Sequence, residues 1–179
     1  MVQQIEITLQ PKCRGFHLVT SEILSQLPKL PKIGIVNIFT KHTSCGLSIN
    51  ENCDPDVRVD METIFNRLVP ENCPEYEHTL EGADDMPAHA KSTLSGVSVT
   101  IPITNGRLNL GTWQGIYFCE FRNYGGSREL VVTIIGELMT RHDVDEREQF
   151  EDTEDTDEAE RTEDEHIPCV GQEVGKVRW

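Results

Sequence analysis

The sequence has no excess of basic residues, and that lack removes two classes of partner at once. Residues 1–140 hold 16 acids against 11 lysines and arginines, net −5, and residues 141–179 hold 15 against 5, net −10. A body of that sign gives no electrostatic footprint for nucleic acid or an anionic membrane surface, so neither is an expected partner. A small anionic substrate needs only a local cluster and stays open. No apolar run approaches the roughly 18 residues of a membrane span, and the first residues show no charged-then-apolar leader. The six cysteines include no Cys-x-x-Cys pair, which argues for reduced thiols over a zinc knuckle or a disulfide frame. These absences predict a soluble, cytoplasmic protein. There is no visible internal repeat, and 179 residues suffice for one domain with a real core but not comfortably for two.

What is present begins with period-two alternation. Ile5, Ile7 and Leu9 mark a strand over Val2 to Leu9, for which Gly15-Phe-His-Leu-Val is the expected hairpin partner. Thr20 is placed to cap a short helix carrying Ile23, Leu24 and Leu27, closed by Pro28 and Pro31. Gly34–Thr40 and Gly46–Asn50 read as strands. Asp54-Pro55 is a strong helix start, and Val57, Met61, Ile64, Phe65 and Leu68 then form one apolar stripe that Pro70 ends. A second helix is expected after Asp84-Asp85, with Gly96 beyond its end. Val97, Val99, Ile101 and Ile103 alternate into Asn105-Gly106, a strong hairpin signal. Gln114–Arg122 and Leu130–Ile135 supply further strands. About seven strands in packed sheets with two to three helices describe an α+β domain over residues 1–140. Residues 141–179 are nearly all charge and threonine up to Glu165 and are expected to be a disordered acidic tail.

Chemistry-capable side chains gather at element ends. His42 follows one strand, while His78 and His89 flank the start of the second helix, each beside Asn, Asp or Glu able to orient an imidazole. No two of these histidines are three or four residues apart, so spacing alone makes no helical zinc box. Three neutral imidazoles with an open position would suit zinc or a similar divalent ion better than magnesium. Among the carboxylates, Asp54 and one of Asp84 and Asp85 are most simply helix caps, whereas Glu51 is not. Gln114, Glu120 and Arg122 share parity and are expected on one strand face. In Leu110-Gly-Thr-Trp-Gln-Gly115 the two glycines suggest a close backbone approach around Trp113, which is either core or a platform for a ring-shaped ligand.

His42-Thr-Ser, Asn50-Glu-Asn52, Asp54-Pro-Asp56-Val, Tyr76-x-His78, Gly82-x-Asp84-Asp85-Met-Pro-Ala-His89, Gly106-x-Leu108-x-Leu-Gly-Thr-Trp-Gln-Gly115 and Glu120-x-Arg122 together resemble the YjbQ family over roughly residues 2–138. The resemblance implies an α+β fold, a homotrimer, and a metal cleft lined by His42, His78 and His89. It also implies secondary thiamine-phosphate synthase activity, joining an aminopyrimidine methyl diphosphate to a thiazole phosphate with loss of diphosphate. Asp85 stands where the family pattern is expected to hold asparagine, and the acidic tail lies outside the resemblance. On that reading Glu51, Asp84, Gln114, Glu120 and Arg122 are the expected catalytic residues. Arg107, Arg122, Lys91 or Lys41 would meet the diphosphate, and Trp113 or Tyr117 would hold the ring. Diphosphate departure favours magnesium, which conflicts with three imidazoles. The competing expectations are therefore a three-histidine metal-dependent hydrolase or isomerase of a small phosphorylated compound, and a non-enzymatic trimeric binding protein.

Overall fold

The computed structural model describes residues 1–138, so the expected acidic tail lies outside the described residues. The described chain forms β1 (Val2–Leu9), β2 (Gly15–Leu18), α1 (Thr20–Leu24), β3 (Ile33–Thr40), β4 (Cys45–Glu51), α2 (Pro55–Leu68), α3 (Asp85–Ser95), β5 (Ser98–Thr104), β6 (Arg107–Leu108), β7 (Gln114–Glu120) and β8 (Arg128–Glu137). This is the expected α+β class. Two antiparallel sheets carry it, one in the order β1-β8-β3-β5-β6 and one in the order β2-β7-β4.

The sheets pack face to face, and helices cover the outer side of the smaller one. Alternation decides which residues meet. Leu9, Val36, Ile38, Ile101, Ile103, Leu130, Val132 and Ile134 point inward from the larger sheet, against Cys45, Leu47, Ile116 and Phe118 of the smaller. Full burial of each Ile or Leu stabilises by about 1.5–3 kcal/mol. The other face of β7 offers Tyr117 and Cys119, which with Phe16, Ala88 and Phe121 meet Met61 and Phe65 of α2. Strand β7 is thus buried on both faces. Gly46 allows α3 to lie directly on β4, since a Cβ there would sit 1.9 Å from Ser95 Oγ.

The outer face of the larger sheet stays open. Val2, Ile135, Ile35 and Pro102 stand in register across four strands as an apolar row. Beside it runs a polar row of Gln4, Thr133, Asn37 and Thr100, tied by Gln4–Thr133 (2.8 Å) and Asn37–Thr100 (2.9 Å) hydrogen bonds.

Local signals and non-local partners part company here. Asp54 caps α2, accepting from Asp56 N at 2.9 Å, and Asn105 and Gly106 both take positive φ in the β5–β6 hairpin. In contrast β2 pairs with β7 instead of β1, whose partner is β8. Thr20 does not cap α1: Val19 holds that position, and the Thr20 hydroxyl accepts from Ile116 N at 2.9 Å, joining helix to sheet. Only part of the α2 stripe is covered, because Ile64 and Leu68 remain exposed.

Candidate metal centre

The polar end of the smaller sheet is where three elements meet. Strand β7 ends at Glu120, the loop after it carries Arg122, and α3 begins alongside at Asp85. The β3–β4 loop closes the fourth side. Asp85 and His89 are four residues apart on α3 and so share a face. His78 reaches the same place from the loop before the helix.

Asp85 is 1% exposed. Its Oδ1 accepts from Arg122 Nη1, and its Oδ2 lies 2.6 Å from His78 Nε2 and 3.3 Å from His89 Nε2. The His78 and His89 rings tilt towards each other with centroids 5.4 Å apart. The ligand atoms of His78, Asp85 and His89 all fall within 4.8 Å of one another, so this group could hold a metal ion. Burial pushes the Asp85 carboxyl up. The His78 bond and the Arg122, His89 and His78 charges more than offset this, and it lies below the usual carboxylate value.

A supporting layer fixes these groups. His89 Nδ1 donates to the Thr43 carbonyl at 2.9 Å, since a carbonyl can only accept. Arg122 Nε donates to Asp84 Oδ2 (3.0 Å) and Nη2 to the Glu81 carbonyl (2.9 Å). Asp84 Oδ2 also accepts from Asn123 N at 2.9 Å. Burial opposes ionisation of Asp84, but the Asn123 and Arg122 bonds hold it below the ordinary value. Neither Asp84 nor Asp85 serves as a side-chain cap of α3, because Arg122 recruits both.

The expected site residues divide between two places. His78, His89, Asp84 and Arg122 come together, with Asp85 supplying the third potential ligand. His42 is not part of the group: its Nε2 accepts from Glu129 N at 2.8 Å. Burial, and then the Arg128 charge, push the His42 imidazole below its ordinary value. Glu120 is fully buried and takes both Nε (2.8 Å) and Nη2 (2.7 Å) of Arg128, a bidentate structural pair. Glu51 and Gln114 lie opposite each other at the far end of β4 and β7. Six residue steps separate them from Cys45 and Glu120, about 20 Å at strand rise. Gln114 and Glu120 share the expected strand face, but Arg122 does not join them. Ile116 and Phe118 share their parity and lie in the core, and Arg122 lies beyond the strand. The potential ligand missed by sequence reasoning is Asp85. Its i, i+4 spacing to His89 was the available signal, masked by its plausibility as a cap.

A family model described as UPF0047 protein YjbQ-like matches residues 4–137. The chain belongs to the UPF0047 YjbQ-like family. It is 52% identical over 139 residues to the UPF0047 protein YjbQ of Escherichia coli O157:H7, a match covering 76% of this chain and 100% of that protein. A conserved hypothetical protein from Thermus thermophilus matches at TM-score 0.64 and 34% identity, covering 72% of this chain and 97% of its own. A YbjQ-like protein of unknown function from Sulfolobus solfataricus shares the fold at TM-score 0.66 and 24% identity, covering 76% and 99%.

These likenesses overturn the expected thiamine-phosphate synthase activity. The relatives are named as UPF0047 proteins or described as of unknown function, and none of these names supports that synthase. The two competing activities gain no support from them either. The side chains agree with the correction. Lys91 and Tyr117 are fully buried, Lys41 is paired with Glu6 and Glu129, and Arg122 is held by Asp84 and Asp85. The chain thus does not gather these groups around one leaving diphosphate.

Proposed function

We propose that this YjbQ-like protein binds a divalent transition-metal ion through His78 Nε2, His89 Nε2 and the Asp85 carboxylate. One observation carries the reading. With its Nδ1 proton given to the Thr43 carbonyl, His89 in its neutral form would turn the Nε2 lone pair towards Asp85 Oδ2 at 3.3 Å. Two electron-rich atoms held face to face, one of them on a buried carboxylate, need a positive charge between them, either a proton or a metal ion. His78 Nε2 is directed at the same oxygen, so one cation would satisfy all three. Two imidazoles and one carboxylate suit zinc, iron or a similar borderline ion better than magnesium. Such an ion, when bound, acts as a Lewis acid and lowers the pKa of a coordinated water towards ~7. The chain's part is orientation: Thr43 sets the His89 tautomer and Arg122 fixes the carboxylate.

The test is zinc and cobalt uptake by the full chain after chelation and dialysis. About one equivalent should bind, with cobalt giving the visible bands of a low-coordinate nitrogen–oxygen site. Asp85→Asn, His78→Ala and His89→Ala should each abolish that spectrum, while His42→Ala should keep it. Uptake that survives Asp85→Asn, or no uptake by the unaltered chain, would refute the reading in favour of a protonated His89 paired with Asp85.

Self-association and a cytoplasmic setting belong to the same reading. The open apolar row Val2–Ile135–Ile35–Pro102 supports contact between copies, for which the homotrimer is the expected state and sedimentation the measurement. Cys13, Cys45, Cys53, Cys73 and Cys119 are free thiols, which suits a reducing compartment. Among the described residues, no helix is long and apolar enough to cross a membrane.

A further inference from the structure

The end of the smaller sheet opposite the metal centre has features the metal reading does not use. Here an open groove of about 440 Å³ is lined by Ile49, Asn50, Glu51, Trp113 and Gln114. That volume falls within the range of small-molecule sites. The Asn50-Glu-Asn52 and Gly111-Thr-Trp-Gln-Gly115 motifs build its walls.

The loop that carries Trp113 is locked. Gln114 N donates to the Gly111 carbonyl at 2.9 Å, and Gly111 N donates back to Gln114 Oε1 at 2.8 Å. Asn52 N donates to the Trp113 carbonyl at 2.9 Å, while its side-chain amide reaches the carbonyls of Thr112 (3.4 Å) and Gln114 (3.1 Å). Gly115 lets this layer close, since a Cβ there would meet Leu18 Cδ2 at 2.6 Å. Despite that framework, the Trp113 side chain is 60% exposed. Five hydrogen bonds fix the backbone around a large aromatic ring that is left mostly in water.

Glu51 stands across from Gln114 on β4. Its carbonyl is taken by the Tyr117 hydroxyl, but among the described residues no donor bonds its carboxylate. Glu51 and the indole-bearing Trp113 therefore border one groove, together with Asn50, Gln114 and Ile49. Both attract positive charge, and the indole favours a cation presented on a flat or bulky organic body. We propose that this groove is a second binding site, selective for small organic cations, with Trp113 as the stacking platform and Glu51 as the counter-charge.

The full chain carrying Trp179→Phe leaves Trp113 as its single tryptophan and hence as the reporter of ligand binding. Phenyltrimethylammonium should quench its fluorescence saturably, whereas benzenesulfonate and benzyl alcohol, which share the ring, should not. Calorimetry should show phenyltrimethylammonium affinity falling about tenfold, some 1.4 kcal/mol, from the unaltered chain to Glu51→Gln. Binding should vanish in Trp113→Ala and be partly kept in Trp113→Phe. Melting temperature and zinc uptake at His78, Asp85 and His89 should be unchanged in all three. The proposal is overturned by equal binding of the anion, by no saturable binding of the cation, or by full affinity in Glu51→Gln. It is also overturned if Trp113→Ala alters the sedimentation of the protein, since the groove would then be a contact between copies.

Discussion

Asp85 and Glu120 are both buried carboxylates near the same sheet end, and each is held by an arginine, yet they are held differently. Glu120 receives two parallel bonds from Arg128, and its Oε1 accepts a third from Arg122 N at 3.0 Å. Arg128 also donates to Ser44 Oγ at 3.2 Å, within a site that is itself buried. Asp85 gives one oxygen to Arg122 and turns the other to two imidazoles that are partly open to solvent. A carboxylate whose valence is filled by the protein holds the fold together. One that faces groups able to exchange a proton for a metal ion retains a capacity for chemistry.

Substitutions at the two carboxylates should separate these roles. Glu120→Gln leaves the Arg128 charge buried without its partner and should destabilise by about 3–5 kcal/mol, read from urea unfolding. Asp85→Asn should cost less, about 1–3 kcal/mol, because Arg122 keeps Asp84, but it should abolish zinc uptake. If the two variants lose equal stability and the Asp85 variant still binds zinc, the contrast fails. Asp84→Asn loosens Arg122 without removing a ligand, so zinc affinity should fall about 10-fold, measured by competition with a chromophoric chelator.

The smallest expected effect concerns His42. Burial and the Arg128 charge lower its folded-state value from 6.5, so the unfolded chain takes up the proton first. Its contribution is complete above ~6.5 and is lost as pH falls through the folded-state value. Stability should thus slope downward on acidification below ~6.5, and His42→Asn should flatten that part of the slope. An unchanged slope would separate His42 from the Arg128–Glu120 network.

The elements that sequence alone revealed are those whose causes are local. Asp54-Pro55 starts α2 by capping and a fixed φ, Asn105-Gly106 turns a hairpin by its tolerance of positive φ, and alternation sets the inward face of β5. The partner of β2 was not legible, because Gly15–Leu18 pairs with residues about 100 positions away and nothing nearby encodes that choice. The site was half legible for a similar reason. His78 and His89 stood out as residue types, but an aspartate at a helix start has an ordinary explanation as a cap, which conceals its place beside the two imidazoles. The even-numbered residues of β7 put Gln114 and Glu120 on one face, as parity predicts, but Ile116 and Phe118 between them make that face core and Arg122 lies beyond the strand.

The acceptor that orients His89 belongs to the main chain of Thr43. Any amino acid placed at position 43 brings the same carbonyl, so drift in that loop leaves the ring aligned provided the backbone path is kept. Asp85 has no such insurance: one nucleotide change can remove its charge. Among related chains, the residue at the helix start is expected to divide them by how readily the site takes up an ion.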